Sequence, residues 1–138
     1  VPANTQPIFS SLGDIQWGPT TATTANTAVD GTGTVLTVFT ADTTNGGFVQ
    51  RIRFRPAGTN IATVARVFIN NGSTNATASN NILYDEITLA ATTASANSAL
   101  AVYELPLNFA LPPGYKLNVT LGTTVAAGYF ISVIGGKY

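Results

Sequence analysis

Three arginines at alternate positions, Arg51, Arg53 and Arg55, are the residues of this 138-residue chain whose type and spacing come closest to a chemistry. On an extended strand, side chains two apart share a face, so the three guanidiniums line up over about 13 Å. Three cations in a row need water, carboxylates or an anionic partner. Two readings follow: a solvated face paired across strands with Glu86 or Glu104, or a contact with another subunit or an anionic surface. Nucleic-acid readout is not expected, because the chain carries six basic and six acidic residues and this face has no interleaved aromatic residue.

The acidic residues offer less. Asp85 and Glu86 are adjacent, and on a strand they point to opposite faces, so alone they cannot form the paired carboxylates of a glycoside hydrolase. Asp30-Gly31-Thr32-Gly33 and Asp42-Thr43-Thr44-Asn45 are oxygen-rich loops, but each holds one carboxylate, far short of a calcium-binding loop. The chain contains no histidine, cysteine or methionine. A Ser–His–Asp triad, a thiolate nucleophile and a His/Cys metal site are therefore impossible. The expectation is a protein that is not an enzyme and carries no cofactor or metal. Asn71-Gly72-Ser73, Asn75-Ala76-Thr77 and Asn118-Val119-Thr120 match the N-glycosylation pattern, as chance allows in a sequence this rich in Asn and Thr. Trp17, Tyr84, Tyr115, Tyr129 and Tyr138 read either as a sugar platform or as anchors in core and interfaces.

The elements that hold these residues read as β throughout. Residues 34–40 (TVLTVFT) alternate, and Asn45-Gly46-Gly47 signals a turn. Residues 48–55 (FVQRIRFR) set Phe48, Ile52 and Phe54 against the arginines. Residues 61–69 are apolar on both faces, interrupted by Arg66, which suggests a central strand. Further strands fall at 82–89, 100–109, with Pro106 marking an edge or a bulge, at 115–121, and at 129–134, closed by Gly135-Gly136. Tyr115, Leu117, Val119 and Leu121 point inward; Lys116, Asn118 and Thr120 point outward. Residues 15–17 make a short strand, and the Thr/Ala/Gly stretch that follows reads as loop or weak edge strand. No helix is expected among alanines flanked by Thr, Ser and Asn. Seven or eight short strands at regular spacing predict an all-β, antiparallel sandwich of jelly-roll type.

The domain is expected over residues 15–138, preceded by an extended N-terminal arm over 1–14. Pro2 and Pro7 break regular structure there, and Ile8, Phe9 and Leu12 need an apolar site, on their own domain or on a neighbouring subunit. No apolar run approaches a membrane span, and no signal peptide is visible. Only 9% of residues are charged, which leaves two readings, a surface dressed in Thr, Ser and Asn or, the favoured one, a surface largely covered by other subunits.

The runs RIRFRPAGTNIATVARVFINNGS, LYDEITL and LPLNFALPPGYKLNVTLGTTVAAGYFISVIGGKY resemble small structural proteins of tailed-bacteriophage virions, of the head decoration (cement) type. The resemblance covers roughly residues 34–138 and rests on the Leu-Pro-Pro-Gly turn before the penultimate strand and the Gly-Gly-Lys-Tyr end. It implies a jelly-roll sandwich, often a homotrimer, located on the capsid surface and bound to the major capsid protein, with no direct contact to nucleic acid or membrane. The interface candidates are then Ile8, Phe9, Leu12, Arg51, Arg53, Arg55 and Glu86. The rival expectation is a receptor- or glycan-binding module of a tail or adhesin, which an exposed aromatic cluster beside polar loops at one end of the sandwich would favour.

Overall fold

A computed structural model describes residues 12–138, and in it the chain follows the path of one long hairpin rolled up on itself. β1 (Leu12–Trp17) pairs with β8 (Tyr129–Lys137), and β2 (Leu36–Thr40) with β7 (Lys116–Leu121). β3 (Gly47–Pro56) pairs with β6 (Tyr103–Leu111), and β4 (Thr63–Asn70) with β5 (Asn81–Leu89); all four pairs are antiparallel. Successive pairs fall in alternate sheets, and β3–β8 and β4–β7 pairing joins them. The resulting orders, β1-β8-β3-β6 (sheet A) and β2-β7-β4-β5 (sheet B), are those of an eight-stranded jelly roll. Among the described residues the single helical element is a 3₁₀ turn at Ala78–Asn80.

The core lies between the sheets, where Val49, Ile52 and Phe54 of β3 meet Ala65, Val67, Leu117, Val119 and Leu121 from sheet B. The alternation that predicts it breaks at one point. A register shift between Val49 and Arg51 turns Val49 inward and Phe48 outward, so Phe48 does not share the face of Ile52 and Phe54. The bulge inserts Gln50 and reverses the alternation there. It also explains why β8 runs on to Lys137 instead of stopping at Gly135-Gly136. Gly135 lies opposite the bulge, where a Cβ would collide with the Phe48 carbonyl oxygen. The two glycines thus permit close strand approach instead of ending the strand. A second bulge, on the edge strand β6, accommodates Asn108 at φ 51°, two residues after Pro106.

The outward face of β4 and β7 is not solvated. Phe68 is fully buried outside the main core, and Asn118 and Thr120 are buried beside it. The cover is the Thr/Ala/Gly stretch. Asn26 N–H donates to the Leu121 carbonyl, while Asn75 Nδ2 donates to the Gly31 and Gly33 carbonyls and Asn81 Nδ2 to the Asp30 carbonyl. Residues 26–34 therefore cross sheet B from the end of β7 to the start of β5. Under this cover the outward face of β4 holds Phe68 buried, whereas Ile61, ahead of β4, is exposed.

Side chains close both flanks of the sandwich. Gln16 of β1 donates to the Thr40 carbonyl and accepts from its N–H, both at 2.9 Å, bonding as a strand partner would. On the opposite flank, Tyr84 of β5 meets Phe109 of β6 edge to face at 4.8 Å. β1 starts at Leu12, so residues 12–14 of the expected arm belong to sheet A.

Candidate functional site

The outer face of sheet A combines exposed apolar groups with cations. Strand register sets Trp17, Ser132, Arg53 and Glu104 side by side across all four strands. The next row is Ile15, Ile134, Arg51 and Pro106, and Phe130 lies beside Arg55. On the solvated face of a sandwich, Trp17 at 68%, Ile15 at 61% and Phe130 at 58% exposure are unexpected for a free monomer. Burial of their opposite neighbours, Val133, Ile131, Ile52 and Phe54, fixes which way these strands face.

Among the described residues this face sets one carboxylate against three guanidiniums. Arg51 Nε lies 3.2 Å and Arg53 Nη1 3.9 Å from the Glu104 carboxylate. The Arg51 approach is a charge contact without hydrogen-bond alignment. Both pairs are about 40% exposed, so solvent screens them. Among the described residues Arg55 has no carboxylate partner. Glu104, not Glu86, is thus the intramolecular partner of the stripe. Glu86 sits on β5 and takes Arg66 of β4 at 3.3 Å.

The remaining candidates separate. Leu12 opens β1, exposed, opposite Lys137. Ile8 and Phe9 lie outside the described residues. Asp30 and Asp42 each fold their carboxylate onto their own loop: Asp30 accepts from Thr32 N–H and Oγ1, and Asp42 from Thr44 and Asn45 N–H. The Thr32 hydroxyl, then its N–H, holds Asp30 below the ordinary carboxylate value. Among the described residues no three acidic groups gather as a metal site would require. Asn118 is buried within β7 and Asn75 has its amide engaged by two carbonyls, so these two glycosylation matches serve the fold. Of the five aromatic residues singled out, Tyr129 is in the core, Tyr115 packs against it, Tyr84 closes a flank, and Trp17 lies on the sheet A face.

Sequence reasoning missed Ile15, Ile134 and Phe130 as members of this face. Their signal was the pairing register, which places β1 and β8 beside β3 and is not written in any single strand. An exposed sheet face with aromatic rings, aliphatic groups and guanidiniums has the composition of a protein interface centre. Compared with known proteins, the chain matches no family model, no curated protein and no solved structure.

Proposed function

We propose that the chain is a non-enzymatic structural protein of a bacteriophage virion, seated on the capsid surface and bridging neighbouring major capsid protein subunits. The observation that carries this reading is the outer face of sheet A, where Ile15, Trp17 and Ile134 stand beside Arg51 and Arg53 on a jelly roll, an architecture common in viral coats. Such a face suits an acidic, partly apolar surface. Trp and Arg are the side chains that most often dominate interface energetics. A homotrimer would engage several capsid sites at once, each bound copy raising the effective concentration of the next.

The test is sedimentation of the purified protein with mature heads and, separately, with tails of the virus that encodes it. Binding to heads alone is the expected result, and binding to tails alone or to neither would overturn the reading. Exchange of both Ile15 and Trp17 for Ser removes exposed groups and leaves the core untouched, so the variant should fold and occupy heads poorly. Full occupancy by that variant would remove this face as the docking surface.

A further inference from the structure

We propose that the groove at the end of sheet A, between Arg55, Phe130 and the loop 94–100, binds an acidic sugar, a hexuronate unit within a glycan. The groove is about 390 Å³, at the small end of the roughly 300–1,000 Å³ of small-ligand sites. Its walls are Arg55 and Phe130 on the sheet, the turn Pro56–Gly58, and small residues including Ser98 and Ala99. This site does not depend on the capsid reading, although Arg55 and Trp17 belong to the face that both readings use.

Three features select the ligand. Arg55 is exposed and lacks a carboxylate partner among the described residues, whereas Arg51 and Arg53 share Glu104. A guanidinium offers a planar fork that a carboxylate fills with two parallel hydrogen bonds. Phe130 is adjacent in register to Arg55 and presents its ring to solvent. A pyranose offers the matching pair of surfaces: a C–H face to lie on the ring, and on C5 of a hexuronate a carboxylate projecting from the edge. On the far wall Ser95 and Ser98, set among Ala94, Ala99 and Leu100, offer hydroxyls to a sugar. Phe130 also walls a second cleft with Trp17 and Ser132, so a chain of sugars can continue from one ring to the next. An acidic peptide would supply the carboxylate but not the flat C–H face that Phe130 and Trp17 favour.

Trp17 is the only tryptophan in the chain, so its fluorescence reports on the second cleft directly. Titration of the intact protein with a short oligogalacturonate should give a saturable change in that fluorescence, confirmed by calorimetry. A neutral oligogalactose of equal length and a polyglutamate of equal charge should give none. Arg55→Gln and Phe130→Ala, both at exposed positions, should each weaken binding about tenfold or more while thermal melting stays the same. No saturable response at millimolar oligogalacturonate, equal binding of the neutral sugar or of polyglutamate, or undiminished binding by either variant would overturn the proposal. Head sedimentation is a separate readout, so failure here leaves the capsid reading standing, and the reverse.

Discussion

Asparagine does at residue level what cysteine or a metal does in other small β domains. Asn60, Asn75 and Asn81 each direct side-chain amides at backbone carbonyls of neighbouring loops, and Asn26 ties up its own loop through the Thr32 and Thr34 carbonyls. Asp30 and Asp42 act more locally, each accepting from residues two or three positions ahead. Because the fold lowers the Asp30 pKa, the ionised carboxylate favours the folded loop at neutral pH. That contribution fades as pH falls from the ordinary 3.8 through the lowered value. Thr32→Val removes the largest cause and should move the Asp30 midpoint up toward 3.8, read by NMR titration of its carboxyl carbon. An unchanged midpoint would shift the credit to the Thr32 N–H. Tyr129 presents the opposite case. Its ring is fully buried, its hydroxyl has no hydrogen-bond partner among the described residues, and burial followed by Tyr103 raises its pKa above 10.0. Tyr129→Phe removes only a desolvated hydroxyl, so stability near pH 7 should hold or rise, by up to about 1 kcal/mol. The folded state keeps the phenol neutral, so wild-type stability is intact below pH 10 and falls as pH rises through the raised pKa. The variant should lose less stability there, and a loss at pH 7 in a chemical melt would instead reveal a bonded hydroxyl.

At the scale of elements, the fold depends on a few side chains that hold loops and flanks together. Asn60 is buried, accepting from the Ala127 and Gly128 N–H groups at 3.0 and 2.8 Å and donating to the Gly128 carbonyl at 3.0 Å. Asn60→Ala leaves those groups without that partner, each at a cost of about 1–3 kcal/mol if it stays buried. A denaturant midpoint lowered by more than 2 kcal/mol equivalent (about the sum of two such groups) is expected, and a change under 0.5 kcal/mol, as for an ordinary surface substitution, would show that the loops relax to water. The strands themselves were legible. Alternation located β3, β5, β6 and β7, set Ile52 and Phe54 opposite the arginines and turned Leu117 and Val119 inward, and all four are core residues, because period two is enforced wherever one face is buried. The face of Phe48 was not legible, because Gln50 enters as a bulge set by pairing with β8 and nothing in residues 48–55 marks it. Nor was the burial of Asn118 and Thr120, which depends on a loop ninety residues earlier in the chain folding across them. For the candidate site, the arginine stripe was legible and its apolar neighbours were not. A single strand shows which residues share its face, whereas a site spread over β1, β8 and β3 also needs their order in the sheet.

At the scale of the whole molecule, charge is scarce and unevenly placed. The scarcity and the exposed Ile15, Trp17 and Phe130 favour self-association, and a homotrimer is the expected species by light scattering at micromolar concentration. A clean monomer under those conditions would count strongly against the trimer. The placement of charge makes a sharper claim. Sheet A presents Arg51, Arg53 and Arg55 against Glu104 alone, so its outer face is cationic on a chain whose formal charge is zero. If that face meets an acidic capsid surface, Glu104→Gln should strengthen attachment, because it removes the one carboxylate that partly cancels the guanidiniums. Its cost to the fold should stay within about 1 kcal/mol, since both pairs are half exposed. The gain should be largest in dilute buffer and shrink as the screening length falls from about 10 Å at 0.1 M salt to about 3 Å at 1 M. Replacing Arg51, Arg53 and Arg55 together with Gln should shift occupancy the other way, with the same salt dependence. Glu104→Gln weakening attachment at low salt would mean that the carboxylate holds the arginines in their binding geometry, and that shape, not net charge, selects the partner.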